Sequence, residues 1–224
     1  MRIVIAGGHG KIALILERLL SQRGDSVVGF IRNPGHAADL EAAGTEPVLV
    51  DLENASVDEI ATHLRGADAV VFAAGAGPGS GAARKDTVDR DAAILLAAAA
   101  ETAKVDRYVM ISAIGADAEA PNDAGDPVFV AYLRAKGAAD DSVRARKALD
   151  STIVRPGHLT NDPGTGRVTI ADDTGHGNIP RADVAAVLLA VLDTPSTAGQ
   201  TFELISGDTP ITDAVAARAH GTSA

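Results

Sequence analysis

A glycine-rich turn near the start of the chain most strongly limits what this sequence can fold into. Residues 2–6 (RIVIA) form a short apolar run rich in β-branched side chains, and residues 7–10 (GGHG) follow it directly. Apolar side chains then recur at positions 12, 15, 16, 19 and 20, which is the period of an amphipathic helix. The order of strand, glycine turn and helix predicts the first unit of an α/β fold.

The turn fits two spacings of small residues. Gly7, Gly10 and Ala13 satisfy G-x-x-G-x-x-A, and Gly8 replaces Gly7 in the alternative spacing G-x-G-x-x-A. In such a turn a pyrophosphate approaches the backbone, and the free amides at the helix start bind its charge. The alternative is a glycine turn that holds no ligand. The predicted dinucleotide-binding residues here are Gly7, Gly8, His9, Gly10, Lys11 and Ile12.

Strand-like and helix-like segments alternate along the rest of the chain. Strands are predicted at 26–31, 47–50, 69–73, 107–111, 151–154 and 201–205, and helices at 34–43, 54–64, 86–103, 127–149 and 181–193. Several of the strands are continuous apolar runs, as in a parallel sheet that is buried on both faces. We predict one domain over residues 1–224, a doubly wound parallel sheet of the Rossmann type in three α/β/α layers. A small substrate-side segment is expected around 157–180, with a β-turn unit at 160–170.

Composition excludes several partners. The chain has 30 acidic and 20 basic side chains, so its formal charge of −10 disfavours nucleic acid. It has no cysteine, which excludes disulfides and thiolate metal sites, suits a reducing cytoplasmic location, and leaves no metal site predicted. The longest apolar run, 92–100, is too short to span a membrane. The expected partner is a small-molecule substrate.

The end of the second strand predicts the type of cofactor. NAD-selective sites place an acidic residue there to bind the ribose 2′-hydroxyl. This sequence instead has Arg32 and Asn33, and a guanidinium pairs well with a 2′-phosphate. We therefore expect NADP(H) to be preferred, with NAD(H) as the alternative cofactor. A solvated surface charge is the other interpretation of Arg32.

The ends of the next two strands are expected to complete the cofactor site. Asp51 and Leu52 would lie against the adenine, although Asp51 or Asn54 could instead cap the following helix. Small residues after the fourth strand would leave room for the ribose and diphosphate. They are Ala73, Ala74 and Gly75.

One tyrosine and one lysine are spaced for acid–base chemistry. Tyr132 and Lys136 stand four residues apart in a helical stretch, so both side chains lie on one helix face. A nearby ammonium would lower the pKa of the Tyr132 phenol, which could then exchange a proton with a carbonyl or alcohol oxygen. Ser112, at the end of the fifth strand, could orient that oxygen. The alternative is a core tyrosine beside a surface lysine.

Together these residues resemble the short-chain dehydrogenase/reductase superfamily, and more narrowly its atypical single-domain branch of NmrA-like and sugar-epimerase-like proteins. The resemblance rests on the glycine turn, Arg32-Asn33-Pro34, Asp51-Leu52, the strand ending in Ser112, the Tyr132-x-x-x-Lys136 pair and the Arg-Pro-Gly strand end at 155–157. The segment 181–185 also matches, as a structural motif without chemistry.

The resemblance implies a function and further site residues. It places Ser112, Tyr132 and Lys136 in the catalytic site and beside the cofactor, and it places Pro156 and Gly157 near the nicotinamide. His158, where glycine is common in the branch, is included in the cofactor site. The implied activity is NADP(H)-dependent oxidation or reduction of a small carbonyl or alcohol. The alternatives are an epimerase or dehydratase that retains its dinucleotide, and a non-catalytic NADP(H) sensor. A homodimer formed through the two long helices is also possible.

Overall fold

Strands from the whole chain form one nine-stranded sheet in the computed structural model, which describes residues 1–77, 79–123 and 125–219. The strands are β1 (Arg2–Ala6), β2 (Ser26–Ile31), β3 (Glu46–Leu49), β4 (Ala69–Phe72), β5 (Arg107–Ile111), β6 (Asp150–Pro156), β8 (Arg167–Ala171), β10 (Thr201–Ser206) and β11 (Thr209–Pro210). Two short strands, β7 (His158–Thr160) and β9 (Asn178–Pro180), pair with each other outside the sheet.

Helices connect the parallel strands. They are α1 (Lys11–Arg23), α2 (Ala37–Ala42), α3 (Val57–Leu64), α4 (Ala82–Arg84), α5 (Ala92–Ala103), α6 (Pro127–Ala145), α7 (Arg181–Leu192) and α8 (Ile211–Ala219). A π-helical segment (Lys85–Asp91) joins α4 to α5, and 3₁₀ turns lie at Pro34–His36 and Pro195–Thr197. None of the helices in the described ranges has the length and apolar character that a membrane span requires.

The strand order is β11-β8-β10-β6-β5-β4-β1-β2-β3. All neighbours from β10 to β3 are parallel, and β8 pairs antiparallel with β10 and with β11. The order therefore reverses between β1 and β4, where α/β sheets bind their ligands. This confirms the predicted doubly wound Rossmann sheet, to which two antiparallel strands are added at one edge.

Alternating side chains of the central strands build two separate cores. Ile3 and Ile5 of β1 pack with α1, α7 and α8, whereas Val4 and Ala6 pack with α3, α5 and α6. Each core is closed by the apolar faces of these helices, and the strands are buried on both sides. The result is the three-layer arrangement that the continuous apolar strands predict.

The structure corrects some predicted boundaries. The helix predicted at 54–64 begins at Val57, because Ser56 caps it by accepting a hydrogen bond from the Glu59 amide at 3.2 Å. The β-turn unit predicted at 160–170 is wrong in part, since β8 joins the main sheet and buries Val168. Residues 220–224 of the predicted domain lie outside the described residues.

Candidate active site

The glycine turn brings the end of β1 against the end of β4. Gly7 has a φ of +84°, and a Cβ at this position would lie 2.6 Å from the Ala74 Cα. The Gly10 amide donates to the Gly7 carbonyl at 2.8 Å, which closes the turn. The backbone can pass this close to Ala74 only where residue 7 has no side chain.

Gly8 packs against β2 and the side chain of Glu17. Its amide donates to the Phe30 carbonyl at 3.0 Å, and a Cβ would lie 2.9 Å from the Glu17 carboxyl and 3.1 Å from the Gly29 Cα. Gly8 therefore serves the packing of α1 against β2, and its amide is already bound; its place in the cofactor site stays a prediction. Of the two spacings, the turn uses the one formed by Gly7, Gly10 and Ala13.

The first turn of α1 offers unoccupied amides. Gly10 is its N-cap residue and supplies no side-chain hydrogen bond, and the first turn contains no acidic residue. Other helices differ, because the Asp126 carboxylate caps α6 by accepting from the amides of Val128 and Phe129. Among the described residues no side chain accepts from the amides of Lys11, Ile12 and Ala13, and a helix start of this kind favours a phosphate.

A cavity of about 420 Å³ lies above the ends of β1 to β4. It takes in most of the predicted cofactor residues, which are Gly7, His9, Gly10, Arg32, Asn33, Asp51, Leu52, Ala73, Ala74 and Gly75. The His9 ring stacks on His36 at a centroid distance of 3.6 Å, and its Nε2 lies 2.8 Å from the Asp39 carboxylate. We call this space the adenosine cavity.

Arg32 lies at the rim of the adenosine cavity and pairs with Glu53. Its Nη1 is 2.5 Å from Glu53 Oε2, which also accepts from Arg84 at 2.7 Å. Burial raises the pKa of Glu53, but hydrogen bonds from Thr87 and Arg84 outweigh it and lower the pKa overall. Glu53 is therefore an anion beside the expected 2′-phosphate position, and the sequence analysis did not anticipate it.

Asp51 lies in the cavity wall and does not cap α3. It accepts from the Asn54 side chain at 2.8 Å and from the Glu53 amide at 3.1 Å. The hydrogen bond from Asn54 contributes most to a lowered pKa of Asp51. Ser56 caps the helix instead, and Asp51 lines the cavity, where its contact with an adenine stays a prediction.

A second cavity of about 700 Å³ lies above the ends of β5 and β6. Its walls include five residues predicted for the catalytic or nicotinamide region: Ser112, Tyr132, Pro156, Gly157 and His158. Apolar side chains also line it, among them Ile114, Phe129, Leu133 and Leu159. Because β4 and β5 are neighbours, this substrate cavity lies at the same edge of the sheet as the adenosine cavity.

Tyr132 projects from α6 into the wall of the substrate cavity. Its hydroxyl has no hydrogen-bond partner among residues 1–77, 79–123 and 125–219, and Lys85 Nζ lies 5.2 Å from the centre of its ring. Burial, together with the negative charges of Asp89 and Asp140, raises the pKa of Tyr132 above its usual value. This corrects the expectation that Lys136 lowers it.

Lys136 is buried below the cavity and is held by two acceptors. Its Nζ lies 3.3 Å from the Asp89 carboxylate and donates to the Ile111 carbonyl at 3.1 Å. The ammonium is therefore bound by two acceptors of the protein, one of them a carboxylate that itself acts on Tyr132. Lys136 is also not the surface lysine of the alternative interpretation, since it is only 3% exposed.

A second buried ion pair, between Arg155 and Asp140, lies beside Ser112. The Arg155 Nε and Nη2 both lie 2.8 Å from Asp140 Oδ2. Burial raises the pKa of Asp140, and the charge of Arg155 and a weak interaction with the Ser112 hydroxyl oppose this only in part. The Ser112 Oγ is buried, faces Asp140 and makes no hydrogen bond of normal geometry.

The described side chains include no group of three or more His, Cys, Asp or Glu residues placed to hold a metal ion. The residues that do meet at this edge are a glycine turn with free amides, a basic rim and a tyrosine in an apolar cavity. A doubly wound sheet with these features at its switch point is a dinucleotide-binding protein. The chain belongs to the NAD(P)H-binding family, whose profile matches residues 7–195.

Individual relatives agree with this assignment. The chain is 40% identical over 217 residues to the uncharacterized sugar epimerase YhfK of Bacillus subtilis, covering 96% of this chain and 99% of the relative. A solved structure from Bacillus halodurans, provisionally assigned as an NAD-dependent epimerase/dehydratase, is 37% identical with a TM-score of 0.87, covering 96% and 99% of the two chains. The oxidoreductase ylbE of Lactococcus lactis is 28% identical with a TM-score of 0.84, covering 97% and 96%. The protein is thus similar to NAD(P)H-binding oxidoreductases and epimerases.

Proposed function

We propose that this protein is an NADP(H)-dependent oxidoreductase that reduces a small carbonyl substrate or oxidises the matching alcohol. One observation carries the proposal: the adenosine cavity and an apolar substrate cavity lie at the same edge of the sheet, and the wall of the second includes Tyr132, whose hydroxyl has no hydrogen-bond partner in the described part of the chain. An unpaired phenol beside a nicotinamide position is placed to exchange a proton with a substrate oxygen.

The residues of the adenosine cavity fit a dinucleotide. The free amides at the start of α1 would hold the diphosphate, with Lys11 beside them. Arg32 and Asn33 would hold the 2′-phosphate, and Asp51 and Leu52 would lie against the adenine. The nicotinamide of such a cofactor supplies or accepts the hydride. The end of β2 carries Arg32 and no acidic residue, which supports NADP(H) over NAD(H).

Tyr132 in its protonated form is suited to reduction. At neutral pH the phenol keeps its proton, so it can donate that proton to the carbonyl oxygen while hydride adds to the carbonyl carbon. The products are the alcohol and a phenolate, which regains its proton from water. The buried ion pair of Lys136 and Asp89 sets the charge around Tyr132. Ser112 stays a predicted orienting group. To bind the substrate oxygen, its hydroxyl would have to turn away from Asp140.

An epimerase is the second candidate, because the relative from Bacillus subtilis is named a sugar epimerase. An epimerase would use the same residues but would return its cofactor to the starting oxidation state. A sugar also needs many polar partners, whereas this cavity is lined largely by apolar side chains. This composition supports a carbonyl compound over a sugar.

Cofactor titration tests the proposal directly. We expect NADPH to bind with a lower Kd than NADH in calorimetry at constant ionic strength. With an accepted carbonyl substrate, one NADPH should be consumed for each alcohol formed. Substrate turnover without net loss of NADPH would indicate an epimerase. A folded protein that binds neither dinucleotide would contradict both candidates, and a protein that binds NADPH but leaves every carbonyl unreduced would fit a sensor. The predicted homodimer is tested separately by light scattering.

A further inference from the structure

We propose that the substrate cavity takes a carbonyl compound with an apolar body and a carboxylate, and that Arg181 binds the carboxylate. This inference rests on the proposed function, because it names the substrate class of the same site. Arg181 belongs to the segment 181–185, which the sequence analysis treats as structural only. The structure instead places it in the wall of the substrate cavity, in the same lining as Ser112 and Tyr132.

The guanidinium of Arg181 is held by one nitrogen only. Its Nη1 donates to the Leu159 carbonyl at 3.2 Å and to the Asn161 side-chain oxygen at 2.9 Å. Within residues 1–77, 79–123 and 125–219 no carboxylate pairs with it, and Nε and Nη2 have no acceptor. These two nitrogens form the planar edge that binds a carboxylate through two parallel hydrogen bonds.

Other buried or half-buried arginines show the contrast. Arg107 donates to four acceptors, two of them backbone carbonyls and two of them threonine hydroxyls. Arg155 places two nitrogens on the Asp140 carboxylate. Both are structural arginines: Arg155 is bound by a buried carboxylate, and both terminal nitrogens of Arg107 are bound by the fold, while its Nε has no acceptor among the described residues. Arg181 is oriented by the fold but keeps its carboxylate-binding edge free, which is the state expected of a ligand-binding group.

The charge of the whole chain makes a local cation necessary. A protein with a formal charge of −10 repels an anionic substrate, so an anion must be held by a group of opposite charge inside the site. The acidic side chain in this wall, Asp117, is directed to its own turn, where it accepts from the Glu119 amide at 2.9 Å. Arg181 therefore faces the cavity without a competing carboxylate.

The wall also contains the polar side chains of His158, His176 and Asn178, but most of its area is apolar and selects an apolar body. Ile114, Leu133 and Leu159 line the interior, and Phe129 is 45% exposed at the surface. A space of about 700 Å³ is large enough for one or two rings. An aromatic or alicyclic carbonyl compound that carries a carboxylate would satisfy both the apolar wall and Arg181.

The diphosphate of NADP(H) is the other anion that could reach Arg181. Lys11, at the start of α1, has its Nζ 3.5 Å from the same Asn161 oxygen that holds Arg181. A decisive experiment must therefore separate substrate anions from the cofactor. Arg181→Gln removes the proposed anchor, and Lys11→Gln removes a charge beside the same asparagine on the cofactor side.

The experiment measures binding of naphthoate and of its uncharged analogue naphthamide to the NADP⁺-loaded protein by calorimetry. We expect the wild type to bind naphthoate about tenfold or more tightly than naphthamide, from a charge-assisted hydrogen-bonded pair. Arg181→Gln should abolish this preference while naphthamide binding and NADP⁺ affinity change by less than about twofold. Arg181→Lys should keep part of the preference, because it keeps the charge without the planar fork. Lys11→Gln should weaken NADP⁺ and keep the preference.

Three results would overturn the inference: no naphthoate binding, equal binding of the two probes by the wild type, or a preference that survives in Arg181→Gln while NADP⁺ affinity collapses. The last result would assign Arg181 to the cofactor diphosphate. Thermal melting of each variant controls for misfolding, and Arg181→Lys retains a side chain of similar length. A wild type that binds no NADP⁺ contradicts the proposed function, whereas one that binds NADP⁺ without preferring the carboxylate contradicts this inference alone.

Discussion

The Lys136 ammonium and the Asp89 carboxylate form an ion pair of 3.3 Å in which both side chains are almost completely buried. Asp89 belongs to the π-helical segment and also accepts from the Ala76 amide at 3.2 Å. The pair thus links three parts of the site: the catalytic helix α6, the loop after β4 and the π-helical segment. The carboxylate of this pair also acts on Tyr132, whose pKa it raises.

Replacing Asp89 by Asn should shift the pH dependence of catalysis. The negative charge of Asp89 raises the pKa of Tyr132, so its removal lowers that pKa, and carbonyl reduction should begin to fail at a lower pH on the alkaline side than in the wild type. The variant also leaves Lys136 buried without an ion-pair partner, at a cost of about 3 kcal/mol in the free energy of unfolding. Profiles of kcat/KM against pH and urea denaturation measure the two effects.

Asp91→Asn is the matched control for Asp89→Asn. Asp91 ends the same segment, is exposed and pairs with Arg90. We expect it to leave both the pH profile and the stability unchanged. If Asp89→Asn reduces stability but the alkaline limb stays in place, Asp89 has a structural role only.

Replacing Tyr132 by Phe should lower the rate of carbonyl reduction by about 10²–10⁴-fold, because the proton donor is lost. NADPH affinity should change little, since the ring and its packing remain. Stopped-flow measurement of NADPH oxidation and calorimetric titration separate these effects. Tyr108→Phe is the matched control: the Tyr108 hydroxyl donates to the Ala93 carbonyl inside the core and is remote from the cavity. A Tyr132→Phe variant as fast as Tyr108→Phe would remove Tyr132 from the mechanism.

Arg32 and Glu53 should have opposite effects on cofactor selectivity. Arg32→Ala should weaken NADPH binding by about tenfold or more and NADH binding much less, because it removes a charged partner of the 2′-phosphate. Glu53→Gln should strengthen NADPH relative to NADH, since it removes an anion that now occupies Arg32. Titration of both cofactors into both variants measures the selectivity. Equal losses for NADPH and NADH in Arg32→Ala would show that Arg32 does not contact a 2′-phosphate.

Glu17 should make the protein less stable as the pH rises. This carboxyl is fully buried between Gly8 and Gly29 without a hydrogen-bond partner among the described residues, and burial raises its pKa to about 8. Its contribution to stability is complete below the ordinary carboxyl pKa and is lost as pH rises toward 8, because the unfolded chain ionises first. The expected loss relative to Glu17→Gln is on the order of 1 kcal/mol per pH unit between about pH 5 and 8.

Urea denaturation at several pH values measures this difference. Glu41→Gln, which changes an exposed carboxyl on α2, should follow the wild type throughout. Parallel stability curves for the wild type and Glu17→Gln would show that Glu17 ionises in the folded protein as easily as in the unfolded chain.

Much of the fold follows from local sequence patterns. The runs that became β1, β2 and β5 have the predicted bounds because each is a continuous apolar segment between polar or glycine residues. Strands β8 and β9 carry weaker signals: β8 alternates buried with more exposed residues at the sheet edge, and β9 has three residues only. Their pairing depends on partners that are distant in the sequence.

The candidate site was predictable where it depends on spacing along one element. Tyr132 and Lys136 share a helix face, and the same four-residue step reaches Asp140, a signal that the sequence analysis passed over. Asp89 gave no such signal, because its pairing with Lys136 is a tertiary contact. The same is true of Glu53 beside Arg32. The raised pKa of Tyr132 could not be read from the tyrosine–lysine spacing, since it depends on these unforeseen anions.

The π-helical segment Lys85–Asp91 makes the number of residues between α4 and α5 as important as their identity. In this segment hydrogen bonds close over five residues rather than four, so α5 begins at a rotation that an ordinary helix would not give it. The alanine face of α5 therefore meets the sheet while Lys85 and Asp89 face Tyr132 and Lys136. Deleting one residue would turn these two faces about 100° relative to each other. Substitutions here should be tolerated more readily than a change of length.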